Sequence, residues 1–155
     1  MIFNLFKKSV PEKIPESMQL AVRDVSQSSS KQEAVARAYD IVTNKFRGYR
    51  LLTYLMVPEL FTNTLDKVWA KGGRVHCTVL NYLIRILLVK SGHFKDEDIS
   101  QRWTLVYYIS PHQYLRVHIS EDEYINVDAW GRHFGVPFGE YARGFKVSLF
   151  TRELG

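Results

Sequence analysis

The sequence of 155 residues contains a single cysteine, Cys77, which excludes an intramolecular disulfide and any zinc site built from several cysteines. A long apolar run is also missing, because no stretch approaches the roughly 20 residues that a transmembrane helix needs. Residues 1–8 hold too short an apolar run before Lys7 and Lys8 to form a secretory signal peptide. We therefore expect a cytoplasmic protein with no membrane partner, in which the thiol of Cys77 stays reduced.

The sequence has neither low-complexity segments nor a strong charge bias. Its composition, 46% hydrophobic and 24% charged, is that of an ordinary globular domain. The formal net charge is +5, but the basic residues are spread along the chain, and the densest group is short (Lys45, Arg47 and Arg50). This pattern weighs against a nucleic acid partner, which stays the weakest of the alternatives.

The length predicts one domain, since domains run to roughly 100–200 residues. We expect a peripheral N-terminal segment, 1–30, because Pro11 and Pro15 interrupt it and a serine-rich stretch ends it. Only a short helix over 15–25 fits within this segment. The domain itself is predicted to span 31–155.

Helices dominate the first part of this domain. Ser30 and Glu33 form the pattern of a capping box at the start of a helix, and Gly48 is a plausible end. Thr64 is positioned to begin a second, short helix that includes Trp69. The strongest helix pattern runs from 76 to 90, where a wide apolar stripe predicts burial. Strands follow, predicted at 103–109, 114–120, 124–129 and 145–151.

Helices followed by strands indicate an α+β fold with an antiparallel sheet. In the two middle strands, apolar odd-numbered residues alternate with polar even-numbered ones. Both apolar faces must meet one core, which requires an odd-length loop around 121–123. His118 and Asp128 would then share the polar face, directly opposite or one diagonal step apart. In that arrangement the carboxylate can orient the imidazole.

Cys77 lies at the beginning of the predicted 76–90 helix. The positive end of the helix dipole and the free amides of the first turn favour a thiolate, which is the nucleophilic form of cysteine. The backbone amide of Cys77 can also donate to an oxyanion. The simpler interpretations stay open: a buried structural thiol for Cys77, a surface position for His118 and a turn cap for Asp128.

The order of cysteine on a buried helix, histidine on a strand and aspartate on the next strand resembles the transglutaminase-like superfamily, a branch of the papain-like cysteine-protease fold. Three stretches carry this resemblance: Gly-Gly-Arg-Val-His-Cys at 72–77, Arg-Val-His-Ile at 116–119 and Tyr-Ile-Asn-Val-Asp-Ala-Trp at 124–130. The resemblance implies that the nucleophile lies on a central buried helix packed against a C-terminal antiparallel sheet. It also implies that Cys77 is the nucleophile, His118 the general base and acid, and Asp128 the residue that orients His118.

The sequence departs from this family in several respects. His76, rather than an aromatic residue, precedes Cys77, and the chain is short. No upstream side chain clearly completes an oxyanion hole, although Trp69 and Asn63 are candidates beside the Cys77 amide.

Further residues are candidates for the wall of a substrate cleft: His76, Trp130, His133 and Phe134. Ordinary loop packing is the alternative for the aromatic ones. The histidines lack the tight spacing of a metal site, so we expect neither metal nor cofactor. His112 directly follows Pro111 and is interpreted as a turn residue.

These features predict a cysteine enzyme that acts on an amide or peptide bond of a peptide or protein substrate through a thioester. Hydrolysis is slightly favoured over acyl transfer, because nothing in the sequence suggests a device that excludes water. The alternative is a catalytically inactive member of the same fold that binds a peptide or protein. The sequence does not specify an oligomeric state.

Overall fold

The computed structural model describes residues 7–48 and 64–147, in which helices precede an antiparallel three-stranded sheet. The α+β class is therefore confirmed. In chain order the elements are α1 (Glu16–Ser26), α2 (Lys31–Lys45), β1 (Phe46–Gly48), α3 (Leu65–Lys71), β2 (Gly73–Val75), α4 (Cys77–Lys90), a 3-10 turn (Asp96–Asp98), β3 (Ile99–Val106), β4 (Ser110–His118), β5 (Tyr124–Val127) and α5 (Ala129–Arg132). None of the described helices is both long and apolar enough to cross a bilayer.

The predicted helix starts are confirmed. The Ser30 hydroxyl accepts from the amide of Glu33 at 3.1 Å, and Thr64 caps α3 by accepting from the amide of Lys67. The carboxylate of Glu33 accepts from the amide and hydroxyl of Ser29, one residue before the expected partner. The helix ends at Lys45 rather than Gly48, because residues 46–48 form β1 instead.

Helix α4 lies at the centre of the molecule. Every side chain from Val79 to Leu88 is buried, and α1, α2 and β4 pack around it. Helix α1 contributes Met18 and Val25, both fully buried, to the same core. The expectation of a peripheral segment therefore does not extend to α1, because its apolar side is covered on folding.

The sheet has the order β3-β4-β5, and the odd-numbered side chains Leu115, Val117 and Val127 of β4 and β5 are buried. The predicted odd-length hairpin loop is confirmed, since His118 pairs with Tyr124 across five residues. This register extends to place Asp128 opposite Tyr114, so His118 lies about 13 Å further along the strand. The predicted pairing of His118 with Asp128 is therefore wrong, because the hairpin is centred on Glu121 rather than on Asp122.

Strand β4 begins at Ser110, four residues before the predicted start at Tyr114. The turn before it has left-handed backbone at Tyr107 (φ 52°) and Tyr108 (φ 61°). Because glycine or asparagine normally signals such a turn, two tyrosines conceal it in the sequence. The predicted strand at 145–151 lies largely outside the described residues, and its described part, 145–147, is not in a strand.

A two-stranded parallel sheet joins the end of α2 to the start of α4. Phe46 pairs with Gly73 and Gly48 pairs with Val75, two residues before Cys77. A side chain at Gly48 would clash, since a Cβ there would lie 2.1 Å from Cδ1 of Trp130. Strand β1 therefore passes directly against the indole, and only glycine leaves room for this contact.

Candidate active site

Cys77 is the first residue of α4 and is partly exposed. Strand β2 leads into it, and the buried His76 occupies the N-cap position. The amides of a first helical turn have no acceptor within the helix and carry the positive end of its dipole. The thiol is thus both accessible and close to donors that can stabilise negative charge.

The imidazole that meets Asp128 belongs to His112. Nε2 of His112 lies 2.8 Å from Oδ2 of Asp128, and both side chains are almost fully buried. The amide of Ala142 donates to Oδ2 and the amide of Gly131 donates to Oδ1, each at 2.8 Å. Asp128 thus caps α5, as its simpler interpretation predicts, and also holds His112. Three hydrogen bonds fix the orientation of its carboxylate.

His112 also contacts the thiol of Cys77. Because Nε2 is bonded to Asp128, Nδ1 is the ring nitrogen left to interact with the sulfur. Burial lowers the pKa of His112, but the charge and hydrogen bond of Asp128, together with the contact with Cys77, raise it to about 10. The raised pKa favours the charged form of this ring, and an imidazolium between a carboxylate and a sulfur is suited to stabilise a thiolate electrostatically.

His118 lies at the other end of β4. It is half-buried, and its ring centroid is 6.2 Å from that of Tyr124, its cross-strand neighbour. Arg116 covers Tyr124, with its guanidinium 4.1 Å from the ring centroid. The structure thus brings together two of the expected catalytic residues, Cys77 and Asp128, and places His118 away from Asp128.

The structure describes one of the two upstream candidates for the oxyanion hole, Trp69. The indole N–H of Trp69 donates to the carbonyl of Ser17 in α1 at 3.1 Å, and its ring packs against Phe46 in the core. This N–H is therefore committed to holding α1 on α3. Asn63 lies outside the described residues. The amide of Cys77, at the first residue of α4, remains a candidate donor to an oxyanion.

Of the expected cleft residues, His76 directly precedes Cys77 and Trp130 packs against His112. Its indole is 4.8 Å, between ring centroids, from His112 and 4.1 Å from Phe134. Phe134 is itself buried in a second apolar cluster beneath the loop that follows α5. Trp130 covers one side of the His112 imidazole, which helps to keep water away from the bond to Asp128.

His133 has a structural contact in this region. Its Nε2 lies 3.2 Å from the carbonyl oxygen of Phe46 and so links α5 to β1. Burial lowers the pKa of His133, and the nearby charges of Arg47 and Arg132 act in the same direction. A neutral ring at this position is suited to the hydrogen bond with β1.

The sequence interpretation missed His112, although a signal for it was present. His112 is even-numbered, as are His118 and Asp128, so it belongs to the polar face of the same hairpin once β4 is extended to Ser110. The preceding Pro111 suggested a turn, but proline is tolerated near the beginning of a strand. The alternation of side chains along the strand therefore indicated the position of His112 correctly, whereas the turn signal of Pro111 did not.

Comparisons of the chain with protein-family models, curated proteins and solved structures find no match. Across residues 7–48 and 64–147, no group of three or more His, Cys, Asp or Glu side chains is arranged to hold a metal ion.

Proposed function

We propose that the protein is a cysteine enzyme that acts on an amide or peptide bond, with Cys77 as nucleophile, His112 as general base and acid, and Asp128 as the residue that orients His112. The observation that carries this proposal is the continuous contact from Cys77 through His112 to Asp128. A buried imidazolium held between a carboxylate and a partly exposed thiol is suited to nucleophilic catalysis.

The arrangement also supports the proposed likeness to the transglutaminase-like superfamily. Cys77 begins a central helix that packs on an antiparallel sheet, and His112 lies in one strand of that sheet. Asp128 directly follows the neighbouring strand, β5. In this proposal the general base moves from His118 to His112, while the order of the three residue types along the chain stays the same.

The reaction begins with attack of the Cys77 thiolate on the substrate carbonyl carbon, which forms a carbon–sulfur bond and an oxyanion. The amide of Cys77 is suited to donate to this oxyanion. As the carbon–nitrogen bond breaks, the imidazolium of His112 gives its proton to the leaving amine. The products of this half-reaction are a thioester on Cys77, a free amine and a neutral His112.

In the second half, neutral His112 takes a proton from the attacking water or amine. Attack on the thioester carbonyl then releases an acid or a new amide and restores the thiolate–imidazolium pair. Hydrolysis is favoured over transfer because the partial exposure of Cys77 gives water access to the thioester. The proposed substrate is a peptide or protein, and the proposed location, where such a thiol stays reduced, is the cytoplasm.

The test is alkylation of Cys77 by iodoacetamide at pH 6.5, followed by intact-mass spectrometry. Since the chain has one cysteine, all labelling reports on this site. We expect His112→Ala to slow labelling about tenfold or more, because it removes the cation beside the thiolate. His118→Ala is the matched control and is expected to label at the wild-type rate.

Equal, slow labelling of the wild type and His112→Ala would overturn the catalytic role. In that case the inactive binding module becomes the better proposal, since the geometry would hold a thiol of ordinary reactivity.

A further inference from the structure

A buried amide pair lies next to the three proposed catalytic residues. Asn81 is in α4, one helical turn after Cys77, and Gln113 directly follows His112 in β4. Nδ2 of Asn81 donates to the backbone carbonyl of Gln113 at 2.8 Å and also lies 3.3 Å from Oε1 of that residue. Both residues are almost completely buried.

Packing alone does not explain an amide at this position. The neighbours of Asn81 along the helix, Leu80, Leu83 and Ile84, are fully buried apolar side chains. Burying a polar side chain costs free energy that its hydrogen bonds only partly offset, so an apolar residue of similar volume would serve the core as well or better. What the amide adds is a directional link between two elements.

That link joins the two elements that carry the reacting groups. Residues four apart lie on the same side of a helix, so Cys77 and Asn81 share the side of α4 that faces β4. A hydrogen bond to a backbone carbonyl fixes the strand itself, whereas apolar contacts would allow it to slide. Because Gln113 is bonded to its neighbour His112, fixing its carbonyl also restrains the imidazole relative to the sulfur.

We propose that Asn81 is a positioning residue that holds β4 against α4 at the distance required for the contact between Cys77 and His112. This inference rests on the proposed function. Its effect is larger on the reactivity of Cys77 than on the stability of the fold. Displacements of about 1 Å are enough to weaken such arrangements strongly.

The experiment compares Asn81→Leu with Gln113→Met in the full chain. Asn81→Leu removes the donor and keeps the number and branching of the side-chain heavy atoms, whereas Gln113→Met keeps the backbone carbonyl that Asn81 contacts. The readouts are thermal unfolding and the pH profile of iodoacetamide labelling at Cys77, measured over about four pH units around neutrality.

We expect Asn81→Leu to fold, with a modestly lower unfolding temperature because buried acceptors of Gln113 lose this donor, and to label about tenfold more slowly at pH 6.5, with the profile of His112→Ala. Gln113→Met is expected to keep the wild-type profile. If Asn81→Leu does not fold, Asn81→Ser, whose hydroxyl is too short to reach β4, is measured in the same way.

A folded Asn81 variant with the wild-type labelling profile would overturn this inference and leave the proposed function intact. Equal, slow labelling of the wild type and His112→Ala would instead overturn the proposed function.

Discussion

The two ends of β4 carry the same residue type on the same face in very different surroundings. His112 is buried against Asp128, Cys77 and Trp130. His118, six residues later on the strand, is half-buried beside Tyr124. The strand supplies two equivalent positions for a histidine, and only one of them becomes a candidate general base.

The difference arises from segments that are distant in sequence. At the His112 end, the amides of Gly131 and Ala142 fix the Asp128 carboxylate. The loop after α5 therefore folds back over the sheet and seals this end. At the other end, Asn126 contacts the guanidinium of Arg116, and the hairpin loop leaves the surface open. Burial lowers the pKa of His112, and the fixed carboxylate of Asp128 together with the contact with Cys77 outweighs that effect and raises it.

Among variants that test the difference between the two ends of β4, Asp128→Ala is expected to change the free energy of unfolding most. It removes three hydrogen bonds and leaves His112 buried without its counter-charge, so we expect the free energy of unfolding to fall by about 4 kcal/mol. Asn126→Ala, the control on β5, is expected to cost about 0.5 kcal/mol. Urea denaturation measures both. If the two variants lost similar amounts of unfolding free energy, the contacts of Asp128 would not stabilise the fold more than those of Asn126.

A smaller effect is the pH dependence of the free energy of unfolding. It is measured in Cys77→Ala, so that titration of the thiol does not contribute. The pKa of His112 is raised in the folded protein from 6.5. Its stabilisation is therefore complete below pH 6.5 and is lost as the pH rises toward about 10, the folded-state value with Cys77 present. Between these limits, the free energy of unfolding of Cys77→Ala should fall with rising pH more steeply than that of Cys77→Ala/His112→Gln, because only the first variant keeps the His112 imidazole beside Asp128.

Chemical denaturation at several pH values in this range measures that difference. Parallel stability curves for the two variants would contradict a charged His112 in the folded state.

The smallest effect is expected at the open end of the strand. His118→Ala removes a half-buried ring beside Tyr124, so we expect a change of about 0.5 kcal/mol or less in the free energy of unfolding. Thermal unfolding and urea denaturation test this. A loss of unfolding free energy as large as that expected for Asp128→Ala would contradict the comparison and return His118 to the candidate site.

Much of the fold could be predicted from local pattern. Ser30 and Thr64 mark helix starts because their hydroxyls cap free amides, and the apolar stripe of 76–90 marks the buried helix. Parity predicted the shared face of the hairpin, because side chains alternate along a strand. Register could not be predicted, because parity permits a hairpin centred on Glu121 or on Asp122 equally well.

Part of the candidate site was therefore within reach of the sequence. Cys77 was identified from a helix start and Asp128 from the polar face of a predicted strand, which are local features. His112 was missed because the tight turn at Tyr107 and Tyr108 has no glycine to mark it. The positioning proposed for Asn81 depends on a contact between residues 32 positions apart, which no local pattern indicates.

The sequence by itself determined the helices, the alternating strands, the place of Cys77 at a helix start and the face that carries the polar residues. Periodicity and capping depend on neighbours along the chain, so these features can be read locally. Only the tertiary structure decided which histidine meets Asp128 and Cys77, because that choice depends on hairpin register and on the loop that closes over one end of the sheet.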